Sequence, residues 1–146
     1  MALIPGAGEF VYAADVVSAD DGMGGTVAQN AHTISVEADM DVSLDDLQRL
    51  APNLGAVSLG VGWFGSDLRA GSIAIRPGVE TATKTTYPQS WSVNGVTRAD
   101  AYVVSEIGGV PAYGGTPSDQ SVGQAIQDLK ARGLRVLFCP FLFMDI

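Results

Sequence analysis

Gly55-Ala56-Val57-Ser58-Leu59-Gly60-Val61-Gly62-Trp63-Phe64 is an apolar run in which small residues separate larger ones. Unbroken hydrophobicity over this length reads as a buried strand of the kind covered on both faces in a parallel sheet. Its glycines admit the close approach of another backbone or a helix. A second run of this character spans Leu134 to Phe143, with Pro140 inside it. Between the two lies the clearest helix of the chain. Ser118-Asp119 opens it, Val122, Ala125, Ile126 and Leu129 repeat at helical spacing, Lys130 and Arg132 sit late, and Gly133 supplies the residue past its end. A strand at 56–64, a helix at 121–132 and a strand at 134–143 make one βαβ unit, because a parallel pair needs a crossover. The expected fold class is α/β. Two long parallel strands close no sheet, and the second runs directly into Asp145-Ile146. The expectation is therefore an incomplete, loop-rich sheet, completed by further chain or by a partner subunit.

Outward from this unit, Ser43 is expected to cap a helix that carries Leu44, Leu47 and Leu50 on one face and stops at Pro52. Residues 1–42 read as an extended and looped region, and 43–146 as the βαβ region of one partial domain. Within the first, Pro5-Gly6-Ala7-Gly8 suits a turn and Glu9-Phe10-Val11-Tyr12 an extended segment. Gly22, Gly24 and Gly25 mark a loop, and His32-Thr33-Ile34-Ser35-Val36 alternates as a strand does. Ser72 to Arg76 reads as a short strand stopped by Pro77-Gly78. Residues 80–98 look irregular, and Arg98 to Ser105 suits strand or helix equally.

Composition excludes several classes of function. The chain has 146 residues, 8 Lys and Arg against 16 Asp and Glu, and a formal net charge of −8. Phosphate binding needs clustered Lys and Arg, so nucleic acid and anionic lipid are not expected partners. One cysteine, Cys139, allows no internal disulfide, and one histidine, His32, allows no histidine-rich metal site. No cofactor or metal is expected. The start of the chain lacks the pattern of a signal peptide. The run from Leu134 to Ile146 falls short of the ~20 apolar residues of a membrane span.

Chemistry in parallel α/β folds gathers at the carboxyl ends of strands. Asp67 lies just past the first apolar run and Asp145 just past the second. A pair of carboxylates is what a glycosidase uses as acid and base or nucleophile. The plainer reading is that each caps a turn through its side chain. Trp63, Trp91 and Tyr113 offer faces on which a sugar can stack, and Arg69 can contact a ligand or simply pair with Asp67. His32 has no placed partner for catalysis. Cys139, inside an apolar strand, reads as a small hydrophobe. Gly60-Val61-Gly62 is no dinucleotide fingerprint, since no helix opens after it. Gly114-Gly115-Thr116-Pro117-Ser118 leads into a helix but lacks a phosphate-binding lysine.

Several longer strings are distinctive together. They are Met1 to Phe10, Trp63-Phe64-Gly65-Ser66-Asp67-Leu68-Arg69, Arg76-Pro77-Gly78-Val79-Glu80 and Trp91-Ser92-Val93-Asn94-Gly95. Tyr113-Gly114-Gly115-Thr116-Pro117-Ser118-Asp119 and Phe138 to Ile146 complete the set. In this order they resemble the start of the glycoside-hydrolase-like TIM-barrel domain of the tail-tip "megatron" protein of alphaproteobacterial gene transfer agents and related siphophages. The resemblance is weakest over 13–42. It implies a partial TIM-barrel-like βαβ unit, an incomplete barrel, in a structural component of the tail tip or baseplate hub region. Such a component, made in the bacterial host cytoplasm and carried on the virion, would pack on other tail-tip proteins and help the tail contact or penetrate the host envelope. The alternative it implies is a glycoside-hydrolase-like fragment that acts on, or only binds, peptidoglycan or surface polysaccharide. The barrel strands that usually carry the acid and nucleophile are not in this chain, so no catalytic residue is carried over. Enzymatic activity is thus left open, with a structural role favoured.

Overall fold

A computed structural model describes residues 1–3 and 8–146. The turn expected at Pro5-Gly6-Ala7 lies outside the described residues. The main sheet and the two helices are, in chain order, strand β1 (Ala2–Leu3), helix α1 (Asp39–Leu50), strand β2 (Ala56–Gly65), strand β3 (Ile75–Arg76), helix α2 (Asp119–Ala131) and strand β4 (Arg135–Met144), with further short strands in the segments between them. β2 is central. β1 pairs with it in parallel at Ala2↔Ser58, and β4 runs parallel along its whole other edge, from Arg135↔Ala56 to Met144↔Gly65. β3 is antiparallel to the end of β2, with Arg76 opposite Phe64.

Alternation along β2 sorts its side chains. Val57, Leu59 and Val61 face Met40 and Leu44 of α1, Ala125 and Leu129 of α2, and Tyr12. The Tyr12 hydroxyl donates to Gly60 O at 2.6 Å, which ties the N-terminal segment to β2, and burial pushes this phenol above its ordinary range. Gly60, Gly62 and Phe64 point the other way, where no helix lies over them. A second cluster, Phe10, Ala13, Val17, Val79, Trp91 and Val93, fills the space under the loops, with Trp63 against both clusters.

The barrel-like reading is corrected by this architecture. Among the described residues the chain is a small mixed α/β fold with two helices and many short strands, and it forms neither a barrel nor a TIM-barrel-like βαβ unit. The helices cover one face of the sheet only. Residues 66–118 supply no helix–strand repeat. They break into two-residue pairs such as Ser92–Val93 with Val96–Thr97 and Glu106–Ile107 with Val110–Pro111. The physical reason is turn chemistry. Asn94, Gly95, Gly108, Gly109 and Gly115 all take positive φ, and such residues close tight turns rather than extend helices.

Three smaller expectations also change. α1 begins at Asp39, with Ala38 at its N-cap and no side-chain cap bond, so Ser43 lies inside the helix. Met40 is buried with Leu44, so the apolar face starts a turn earlier than the leucine spacing alone shows. The segment 32–36 is turns, with Val36 at φ 60°, because its apolar side chains meet no core; Ile34 is fully exposed. Third, β4 is not covered on both faces. Leu137 is 66% exposed and Phe138 49%, and Phe141, Leu142, Phe143 and Met144 are also open to solvent. α2 is closed at both ends, by Ser118 accepting from Ser121 N and by Gly133 at φ 79°.

Candidate functional site

The polar and aromatic side chains that converge in this molecule do so at the carboxyl ends of β2 and β4. Asp145 follows β4, and its N–H donates to Gly65 O at 3.2 Å. Asp145 is 5% exposed, and its carboxylate accepts from the Tyr102 hydroxyl and from Ser105 N, both at 2.8 Å. Burial by itself would raise this carboxyl. The hydrogen bonds from Ser105 and Tyr102, with the nearby Arg76 charge, outweigh burial and hold it below the ordinary range. The Arg76 guanidinium lies 3.6 Å from the centre of the Tyr102 ring, a stacked cation–π contact.

Phe64 joins this corner to a cleft. Its ring stands 6.0 Å from Tyr102, 5.5 Å from Tyr113 and 5.9 Å from Phe143. The cleft, about 420 Å³, has Gly60 and Gly62 as its floor, Phe141, Phe143 and Tyr113 as walls, and Glu80 at its side. The two glycines let the phenylalanine rings lie close over that floor. A Cβ on Gly60 would come within 2.9 Å of the Phe141 ring, and one on Gly62 within 2.6 Å of the Phe143 ring. The Tyr113 hydroxyl donates to Met144 O at 3.3 Å.

Behind Glu80 lies a buried ion cluster. Glu9 takes both terminal nitrogens of Arg98, and also accepts from Glu80 N at 2.8 Å. Lys84 bridges Glu80, at 2.5 Å, and Glu9, at 3.8 Å. Thr116 completes the strapping. Its hydroxyl accepts from Gly78 N, its N–H donates to Gly78 O, and its carbonyl accepts from Trp91 Nε1.

The sequence candidates fall in different places. Asp67 is held by Arg69 through its backbone N–H at 2.8 Å and its guanidinium at 2.6–3.2 Å, and this lowers the Asp67 carboxyl. That pair organises an exposed loop and shares no partner with Asp145. Trp63 is half-buried between the two core clusters, and Trp91 is buried. Tyr113 is the candidate aromatic that lines the cleft. His32 contacts Asp39 through Nδ1 at 2.6 Å, at the start of α1. Cys139 is half-buried opposite Gly60. Glu9, Arg76, Arg98, Tyr102 and Thr116 carry the geometry without having stood out in the sequence. The one local hint was a glutamate set directly against Phe10-Val11-Tyr12.

The arrangement favours binding and bracing over proton transfer. A glycosidic acid needs a raised carboxyl, whereas Asp145 is lowered and spends one oxygen on two donors. A depressed carboxyl stabilises the fold above its ordinary value near 3.8 and loses that contribution as pH falls through the folded value. Asp145→Asn is therefore expected to cost on the order of 1 kcal/mol at pH 7. It should also flatten the loss of stability below about pH 4. Urea unfolding at pH 7 and pH 3 checks both, and equal acid sensitivity in the two proteins would contradict the assignment. Among the described residues no group of three or more metal-ligating side chains is gathered, and no helix is long and apolar enough to cross a membrane. No family model matches the chain, and no curated protein matches it significantly.

Proposed function

We propose that the chain is related to the tail-tip protein of gene transfer agents and siphophages. On this reading it serves as a structural component of a tail tip or baseplate, packed on other tail proteins and placed to meet the host envelope. The observation that carries this reading is the open side of β4. Six large apolar side chains from one strand stand in solvent, a surface expected on an assembly subunit rather than on a free monomer. The resemblance of the sequence strings quoted above supports a tail tip as that assembly. The charge of −8 argues against a role on nucleic acid.

The aromatic cleft favours a second reading, a module that binds cell-wall or surface polysaccharide, with Tyr113 as its stacking face. One experiment separates the two. Quantitative mass spectrometry of purified tailed particles is expected to find peptides of this chain at a low, fixed copy number. Absence from particles, with retention of wall polysaccharide by the isolated chain, would overturn the assembly reading in favour of the second.

A further inference from the structure

Five of the eight lysines and arginines meet a carboxylate: Arg49, Arg69, Lys84, Arg98 and Arg132. Lys130 and Arg135 are exposed, where water serves them. Arg76 is the exception. It is half-buried, it is in no ion pair among the described residues, and its Nε is buried without a hydrogen-bond partner. Ile4 to Ala7 bring no acid either. Asp145 acts on Arg76 through space only, because its carboxylate is held by Tyr102 and Ser105. Sixteen acids are present for eight cations, so a partly desolvated guanidinium left without one is a cost that the fold itself does not recover.

The guanidinium is nevertheless fixed in place. It lies over the Tyr102 ring, 3.6 Å from the ring centre, and β3 holds its backbone opposite Phe64. A planar fork held in this way has given up its side-chain freedom before any ligand arrives. It opens on a surface cavity of about 360 Å³, with Asp100 on the wall and Pro77, Val96 and Val103 as apolar sides. That volume lies within the range of small-ligand sites. Asp100 accepts from the Thr97 hydroxyl through Oδ2 at 2.8 Å, which leaves its Oδ1 available.

The two charges select the ligand. A carboxylate matches the guanidinium fork. A phosphate or sulfate matches it too, but would bring a dianion to a wall that holds Asp100, on a chain of charge −8. A ligand with an ammonium beside its carboxylate meets no such conflict, since Asp100 then gains a partner. We propose that this cavity binds an amino-acid zwitterion, with its carboxylate on Arg76, its ammonium on Asp100 and a small apolar side chain against Val96 and Val103. The cavity shares no lining residue with the aromatic cleft at Gly60 and Gly62. The proposal holds whether or not the chain is a tail component. Both charges reach water, so the expected Kd is on the order of 1 mM.

NMR titration of the chain with alanine, acetate and inorganic phosphate tests this. Alanine should shift the amides of Arg76 and of residues 100–103 and saturate. Arg76→Gln and Asp100→Asn should each weaken alanine by about 10-fold or more. Asp100→Asn should at the same time tighten acetate, because it removes a repulsion. Asp100 is exposed, so this second variant keeps the test in force should Arg76→Gln fail to fold. No saturable shift with alanine overturns the proposal. So does undiminished alanine binding in Asp100→Asn. Phosphate binding more tightly than alanine would overturn it as well, and would make Arg76 a site for plain anions.

Discussion

Arg98→Met is expected to destabilise the fold by about 3–5 kcal/mol, the cost of leaving one partner of a buried ion pair unpaired. The Glu9 side chain is 1% exposed and that of Arg98 10%. Removing the guanidinium strands a carboxylate that water cannot reach, and Lys84, 3.8 Å from the nearer oxygen, is already committed to Glu80. It also frees Thr81 O, which Arg98 holds at 2.9 Å. Small domains are stable by only about 5–15 kcal/mol, so this is a large fraction of the total. The double variant Glu9→Leu with Arg98→Met should lose less than Arg98→Met, because it removes the stranded charge along with its partner. Urea unfolding of the two variants and the parent checks the ordering. A loss under about 1 kcal/mol for Arg98→Met would mean that the pair is solvated.

This pair also marks where sequence reasoning reaches its limit. Glu9 and Arg98 are 89 residues apart, and nothing local to either announces the other. The elements that could be read ahead were those whose cause is local. α2 shows itself through Ser118, its apolar spacing and Gly133, and the strands at 56–65 and 135–144 through unbroken apolar runs. The start of α1 was misplaced because Ser43 is a good cap by composition, while burial of Met40 rewards an earlier start. The barrel expectation failed for a related reason. An apolar run shows what a strand needs to bury, not that a particular architecture supplies the cover. Of the candidate site, Tyr113 and Asp145 were visible, one as an aromatic beside a glycine loop, the other as an acid past a strand. Tyr102 and Arg76 were not, since their roles depend on short pairings within residues 66–118.

Proline placed at neighbouring positions of β4 should have unequal consequences, because odd-numbered residues of this strand turn their N–H groups toward β2 and even-numbered residues turn theirs away. Leu137 and Phe138 are both largely exposed, so side-chain burial hardly separates them. Their backbones differ. In the observed register Leu137 N donates to Val57 O, inside the sheet, where Val57 is 1% exposed. Leu137→Pro removes that donor, leaves a buried carbonyl without a partner and sets a ring against β2, at a cost of about 3 kcal/mol. Phe138→Pro removes a donor that faces solvent and loses the packing of a half-open ring, about 1 kcal/mol. Urea midpoints should therefore fall much further for Leu137→Pro. Equal losses would mean that the register between β4 and β2 is misassigned. The same substitution carries a second consequence in the particle. On the tail-component reading, Phe138→Pro also removes one of the apolar side chains that β4 exposes, so a chain that folds should nonetheless be depleted from tails. Full incorporation of Phe138→Pro would mean that the open side of β4 is not the surface that packs on other tail proteins, because an aromatic contact there would be lost with the ring.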